Sequence, residues 1–457
     1  MISPRRRATA TEVDALARAL TDRLVAAGVE PGRMVALLAP NGPGFLAALL
    51  ALRRAGVAAL LLDCRAPDTA RRRTVESLGA SHLLATATAW PAGADLWRLE
   101  ALAPAAGPRP VAADVAVVKL TSGSTGEARG IATPGEALLA DDAALRSSMG
   151  IGAGDRLLAT VPFSHSYGLS SLVVPALVAA IPLVVPDGDG PFAPLAAAAA
   201  AGATVFPTVP AYLDALGRVA EPPPTPPSLR RVISAGAPLA PAAAARFHER
   251  FGLAVHAFYG ASECGGICSD REGGAAERGT VGTPVDGVEV TIAAVAPAAV
   301  AGPGGGAGRV VVRSPAVAAD YLPDADPRLA GGRYETADLA AWRDGELALA
   351  GRLDDLINVK GKKVNPREVE RVLAGLEQVD DVQVFGIAGA EGGGSVVRAV
   401  IACRPGTLVP DRVLAWCRDR LADHQVPRSV VLVESLPRTD RGKVDHAALE
   451  RRFGAGE

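Results

Sequence analysis

Apolar positions recur with two different periods along the chain, and the changes between them predict its elements. Val13, Leu16, Ala17, Leu20 and Leu24 fall on one face of a helix that Thr11 can cap and that ends before Gly28. Residues 35–38 then read as a strand, 45–52 as a helix ending near Gly56, and 58–62 as another strand. Further short aliphatic runs predict strands at 115–120, 157–161, 204–206, 231–234 and 255–259. Strands alternating with helical patterns over the first 270 residues predict a layered α/β fold.

From residue 279 to 350 the pattern becomes strand-rich, at 288–292, 309–313 and 347–350, around a glycine loop at 302–308. A small β subdomain is expected there. The loop contains only a variant of the G-x-G-x-x-G spelling, with Ala307 at the last position, and no helical pattern follows, so a dinucleotide site is not supported. The prolines of 222–227 read as a stiff surface connection. Beyond Gly351, residues 356–364 look like a hairpin, and Asn365, Pro366 and Glu368 supply an N-cap, an N1 proline and an N3 acid for a helix.

Composition narrows the class. A chain of 457 residues is too long for one core, so two or three lobes are expected. The net charge of −2 gives no reason to expect nucleic acid or a membrane as partner. Arg5, Arg6 and Arg7 precede no apolar segment and are followed by Glu12 and Asp14, so no leader is read and a cytoplasmic location is expected. The longest apolar stretch, 169–185, is interrupted by Pro175 and Pro182 and predicts a buried helix followed by a strand. Cys64, Cys264, Cys268, Cys403 and Cys417 are scattered and odd in number, which predicts free thiols that serve packing.

Candidate chemistry begins at residues 119–131, Lys-Leu-Thr-Ser-Gly-Ser-Thr-Gly-Glu-Ala-Arg-Gly-Ile. Thr121, Ser122, Ser124 and Thr125 offer four hydroxyl donors, and Gly123, Gly126 and Gly130 let backbone N–H groups approach an anion. The loop reads as a phosphate cradle, with a flexible polar linker as the bland alternative. No G-x-x-x-x-G-K-[ST] spelling occurs, which disfavours a P-loop NTPase.

In wording and order the loop resembles the phosphate loop of the adenylate-forming superfamily: AMP-forming acyl- and aryl-CoA synthetases, standalone adenylation enzymes and luciferase-like enzymes. Ala128-Arg129 stands where that family usually has Pro-Lys. Further segments follow in the family's order over nearly the whole chain. Pro162-Phe-Ser-His165-Ser-Tyr-Gly168 resembles the border of the acyl pocket, and Ser234-Ala-Gly236-Ala237-Pro238-Leu239 an adenine-contacting loop. Phe258-Tyr259-Gly260-Ala-Ser262-Glu263 follows, then Tyr334-Glu-Thr-Ala337-Asp338, with Ala337 replacing the usual Gly. Gly351-Arg352-Leu-Asp354 resembles the hinge, Asn358-Val-Lys360-Gly361-Lys-Lys363 the loop after it, and Arg438-Thr-Asp-Arg-Gly442-Lys443 the segment with the adenylation lysine.

The resemblance implies an N-terminal adenylation domain over 1–350, made of layered α/β sheets with the small β subdomain, and a small mobile α+β domain over 351–457. It implies ATP, Mg²⁺ and coenzyme A, or a carrier-protein pantetheine, as cofactors and acceptors of a small carboxylic acid. Tyr259 would stack on adenine beside Gly236, Ala237 and Pro238, with Gly260 also at the nucleotide and Ser262 near the phosphate. Asp338 and Arg352 would serve the nucleotide, Glu263 would hold Mg²⁺, and Arg129 and Lys443 would supply positive charge. Rotation about Asp354 would exchange Lys443 for the Asn358, Lys360, Gly361 and Lys363 loop in the thiol step. His165, Gly260, Gly266 and Ile267 would border an aryl or medium acyl group. An amino acid is disfavoured, because residues 163–167 contain no carboxylate to pair with an α-ammonium. A carrier-loading enzyme, and a nucleotide-binding protein without catalysis, are the alternatives to a CoA ligase.

Overall fold

The structure is a computed structural model that describes residues 1–104, 107–122, 128–295, 307–359, 362–388, 395–438 and 444–454. The chain forms two compact units, Met1–Val290 with Val312–Tyr334, and Thr291–Val311 with Glu335–Glu457.

In the first unit the opening helix is Ala10–Ala26, and its cap is Thr9, not the predicted Thr11. Glu12 lies three residues beyond Thr9 and completes a reciprocal box: the Thr9 N–H donates to the Glu12 carboxylate at 2.7 Å, and the Glu12 N–H donates to the Thr9 hydroxyl at 3.2 Å. The residue three beyond Thr11 is Asp14, which instead pairs with Arg18 at 2.9 Å. Val13, Ala17, Leu20 and Leu24 form the buried face, as the periodicity predicts.

Two seven-stranded sheets carry this unit. The first is ordered Asp320–Leu322, Ala128–Pro134, Val115–Ser122, Ala58–Leu61, Met34–Leu38, His82–Ala85, Arg98–Ala101. Its centre is parallel, and Met34, Ala36, Leu60 and Val118 are wholly removed from solvent. The second is ordered Thr283–Pro284, Gly265–Ser269, Val255–Ala261, Arg231–Ser234, Val205–Thr208, Leu157–Leu158, Leu183–Val184. Here too the parallel strands are apolar on both faces, as helix-covered sheets require. The strand predicted over 157–161 stops at Leu158, where the Thr160 N–H turns back to the Leu158 carbonyl at 3.0 Å, and beyond it the Asn41 amide donates to the Val161 carbonyl and accepts the Phe163 N–H, each at 2.8 Å. The apolar stretch after it is helical from Ser166 to Val178 and returns as the strand Leu183–Val184.

The strand-rich stretch is divided between the units, and in the second unit the strand from Asp338 to Arg343 pairs antiparallel with Glu346–Arg352. The remainder of that unit has a ribbon, Ile357–Val359 with Lys362–Val364, and a three-stranded sheet, Asp381–Ala388, Ser395–Ala402 and Ser429–Val433. Helices Pro366–Leu373 and Pro410–Arg418 pack around Val369, Leu373, Ile401, Val413 and Cys417, and His446–Phe453 packs through Leu449 in a separate cluster with Val400, Ala402 and Leu436. Asn365 caps the first of these by accepting the Arg367 N–H at 3.1 Å, with Pro366 at N1 as expected. The N3 acid, Glu368, accepts instead from the Gln425 amide at 2.8 Å. Among the described residues no helix is long and apolar enough to cross a membrane.

Candidate active site

The segment read as a phosphate cradle lies between two antiparallel strands of the first sheet. Strand Val115–Ser122 enters it and Ala128–Pro134 leaves it antiparallel, with Thr121 opposite Arg129. The predicted donors Gly123, Ser124, Thr125 and Gly126 lie outside the described residues, as do Lys360, Gly361 and Lys443. Gly130 is needed on the exit strand, since a Cβ there would lie 2.8 Å from Val118 Cγ1.

Arg129 is already engaged. Its guanidinium pairs with Asp326 at 3.3 Å, donates to the Asp324 carbonyl at 3.1 Å, and lies over the Tyr321 ring 4.0 Å from the centroid. Strand Asp320–Leu322 makes this possible by pairing with the exit strand, Tyr321 opposite Ile131.

The turn bearing Glu263 follows strand Val255–Ala261, whose register shifts between Tyr259 and Gly260. Glu263 is 9% exposed and gripped twice by one neighbouring segment. Its Oε1 accepts from the Tyr321 hydroxyl at 2.8 Å, and its carbonyl accepts from the Ala318 N–H at 2.8 Å. Tyr334 in turn donates to the Tyr321 oxygen. Burial, then the Glu263 charge, pushes both phenols well above their ordinary value, so both act as neutral donors.

Beneath the turn lies a buried polar group that the sequence reading did not single out. Lys119 and Asp141 are 3% and 4% exposed. Burial lowers the Lys119 ammonium from its ordinary value, against the opposing pull of the Asp141 and Glu263 charges. Burial likewise raises the Asp141 carboxyl, against hydrogen bonds from Ser170 and from the Gly266 N–H, the latter at 2.9 Å. A lysine interrupting the aliphatic run 115–118 and Leu120 was the available signal.

The residues read as an acyl border are packed tightly. Gly265 has φ +71°, and a Cβ there would meet the Asp141 carboxylate at 2.3 Å, while one on Gly266 would meet Leu145 at 2.5 Å. Gly260 is exposed and Ile267 wholly buried. His165 Nδ1 accepts the Tyr167 N–H at 3.2 Å, which leaves the neutral ring's proton on Nε2. Ser166 donates its hydroxyl to Ser262 at 2.7 Å, joining two motifs 96 residues apart. Tyr167 is buried, donates to the Ile233 carbonyl at 3.0 Å, and packs against Phe258. Gly236, with φ +87°, turns the chain at the carboxyl end of Arg231–Ser234 and leaves Ala237 and Pro238 exposed. That end of a parallel strand is where open α/β sheets present ligand loops.

In the second unit, Asp338 Oδ1 accepts from Arg352 at 2.8 Å, and the same guanidinium reaches Asp354 at 3.4 Å. Asn358 and Lys363 are exposed and directly opposed on the ribbon.

Among the described residues no group of three or more His, Cys, Asp or Glu could hold a metal. A single carboxylate such as Glu263 nonetheless suits Mg²⁺, which keeps water and substrate phosphate as its other ligands.

Residues 1–322 match the AMP-binding enzyme family and residues 368–443 the AMP-binding enzyme C-terminal domain. Feruloyl-CoA synthase from Amycolatopsis sp is 31% identical over 458 residues, 95% of this chain and 92% of that one. The amide bond synthetase McbA from Marinactinospora thermotolerans has a TM-score of 0.81 at 28% identity, covering 99% of this chain and 96% of that one. The o-succinylbenzoate CoA synthetase MenE from Bacillus subtilis, solved with its acyl-adenylate intermediate, shares the fold at a TM-score of 0.81 and 23% identity, covering 100% and 95%. By its motifs, its layered sheets and these matches, the chain belongs to the AMP-binding enzyme family of adenylate-forming proteins.

Proposed function

We propose that the protein is an AMP-forming acid–thiol ligase that activates a small aryl or medium-chain carboxylic acid with ATP and passes the acyl group to coenzyme A. The observation that carries this reading is the 2.7 Å contact between Ser166 and Ser262, which sets the segment expected to border the acid beside the turn that bears Glu263. The 31% identity to a feruloyl-CoA synthase supports an aryl acid.

In the first half-reaction a carboxylate oxygen attacks the α-phosphorus of ATP, and the bond to pyrophosphate breaks. Two anions must meet, so the residues around them have to supply positive charge and fixed donors. Glu263 is the residue that would hold Mg²⁺, whose charge would offset that of the phosphate oxygens. The hydroxyls of Thr121, Ser122, Ser124 and Thr125 orient the phosphates, Tyr259 stacks on the base, and Asp338 accepts from the ribose hydroxyls. Lys443 brings its ammonium to the carboxylate and α-phosphate. In the second half-reaction the thiolate attacks the acyl carbon and AMP leaves, with Asn358, Lys360, Gly361 and Lys363 guiding the thiol. The boundary between adenylation and thiol-step domains is assigned to residues 350–351, with Asp354 as hinge, and the enzyme is assigned to the cytoplasm.

The likeness to an amide bond synthetase favours one second reading, an amine in place of the thiol. A screen of carboxylic acids by pyrophosphate release, repeated with coenzyme A, a carrier protein and an amine, separates these. ADP as the nucleotide product would overturn the reading altogether.

A further inference from the structure

The segment 318–321 is joined to Glu263 and to the strand Ala128–Pro134 at once. The Ala318 N–H fixes the Glu263 backbone, the Tyr321 hydroxyl takes Oε1 at 2.8 Å, and the backbone of Tyr321 is laddered to that strand opposite Ile131. Tyr321 is 6% exposed, and its ring lies between this carboxylate and the Arg129 guanidinium, 4.0 Å from the centroid. Arg129 is held in its turn by Asp326, which also binds Arg328 at 2.8 Å. Three consequences follow. One lone pair of Glu263 Oε1 is committed to a phenol, which leaves Oε2 the freer oxygen for a cation. The carboxylate's rotation is fixed by a ring that cannot turn without breaking its stack. And Arg129, whose sequence position points to phosphate, is turned towards that ring.

We propose that Tyr321 is a positioning residue that aims Glu263 at the metal, and that Arg129 acts through Tyr321, not on the substrate phosphate. A planar guanidinium stacks on a phenol ring where an ammonium offers only a point charge, so arginine at position 129 suits this role. The proposal rests on the reading of Glu263 as the Mg²⁺ residue. Groups that orient a metal ligand by a hydrogen bond typically change metal affinity 10–100-fold when removed.

The test is Mn²⁺ binding to the full chain with a non-hydrolysable ATP analogue, read by electron paramagnetic resonance, together with the Mg²⁺ concentration that half-saturates pyrophosphate release. Tyr321→Phe keeps the ring and its stack but loses the hydroxyl. It is expected to weaken Mn²⁺ binding about tenfold or more and to raise the half-saturating Mg²⁺ alike, while kcat at saturating Mg²⁺ and the melting temperature stay close to wild type. Arg129→Lys should shift metal affinity in the same direction by less, and leave the KM for ATP at saturating Mg²⁺ unchanged. Glu263→Gln is the reference. If it abolishes Mn²⁺ binding while Tyr321→Phe binds as wild type, positioning by Tyr321 is wrong and the role of Glu263 stands. A raised KM for ATP in Arg129→Lys at wild-type metal affinity would return Arg129 to the phosphate. Unchanged Mn²⁺ binding in Glu263→Gln itself would overturn both the proposal and the metal reading beneath it.

Discussion

Asp338 and Arg352 face each other on paired strands, Oδ1 2.8 Å from the guanidinium, so two residues assigned separately to the nucleotide form one unit. The pair presets the carboxylate. Asp338→Ala is expected to raise the KM for ATP by about tenfold or more, as loss of a hydrogen bond to a charged group does. Arg352→Met should act in the same direction by less, since the carboxylate remains. Steady-state kinetics with ATP varied would check this, and equal effects on the KM for the acid would count against a nucleotide role.

Lys443→Ala should slow acyl-adenylate formation by at least about 100-fold, the scale for losing one charge contact to a transition state. Thioester formation from a pre-made acyl-adenylate should survive. Both half-reactions would be measured on the same folded variant. Equal loss of the two would remove the assigned role.

Asp326 predicts a pH dependence of stability. Hydrogen bonds and charge from Arg328, then Arg129, hold its carboxyl well below the ordinary 3.8. A depressed folded value means that the folded state binds the proton less readily than the unfolded chain, so the stabilisation is present above 3.8 and lost as pH falls towards the folded value. Asp326→Asn should therefore melt lower than wild type at pH 7, by on the order of 2 °C or more, and the difference should narrow in acid. Thermal melts from pH 7 down to the acid limit would show it; a gap that widens on acidification would contradict the assignment.

Gly265→Ala combines a left-handed backbone with a Cβ 2.3 Å from the Asp141 carboxylate. The expected loss of stability is about 2–4 kcal/mol. Denaturant unfolding would measure it, with Gly150→Ala as reference, because Gly150 has φ +60° but nothing within 4 Å of its Cβ position. The reference should lose only the backbone part, and equal losses would show that Asp141 yields easily.

The sequence was most legible where local signals carried the information. The buried face of Ala10–Ala26 follows from its spacing, and the Asn365 cap from its residue types. The cap of the first helix was misread by two residues because Thr9 and Thr11 are chemically alike, and only the reach of Glu12 against that of Asp14 separates them. The motif residues were found because their order resembles a family's, not because pattern required them. Tyr321, Asp326 and Lys119 were missed for a physical reason. Their partners lie 58 residues away for Tyr321 and Glu263, and 197 for Asp326 and Arg129, so no periodicity within a window reports them.

The pairing of Asp320–Leu322 with Ala128–Pro134 also bears on how the chain is made. A ribosome releases the paired strands Val115–Ser122 and Ala128–Pro134 long before it releases the strand that covers their outer edge. Until then the exit strand is an open border with unpaired N–H and C=O groups, ready to add a strand from another molecule. Fragments ending before residue 320 should aggregate through that border, whereas those that include Leu322 close it with the chain's own segment.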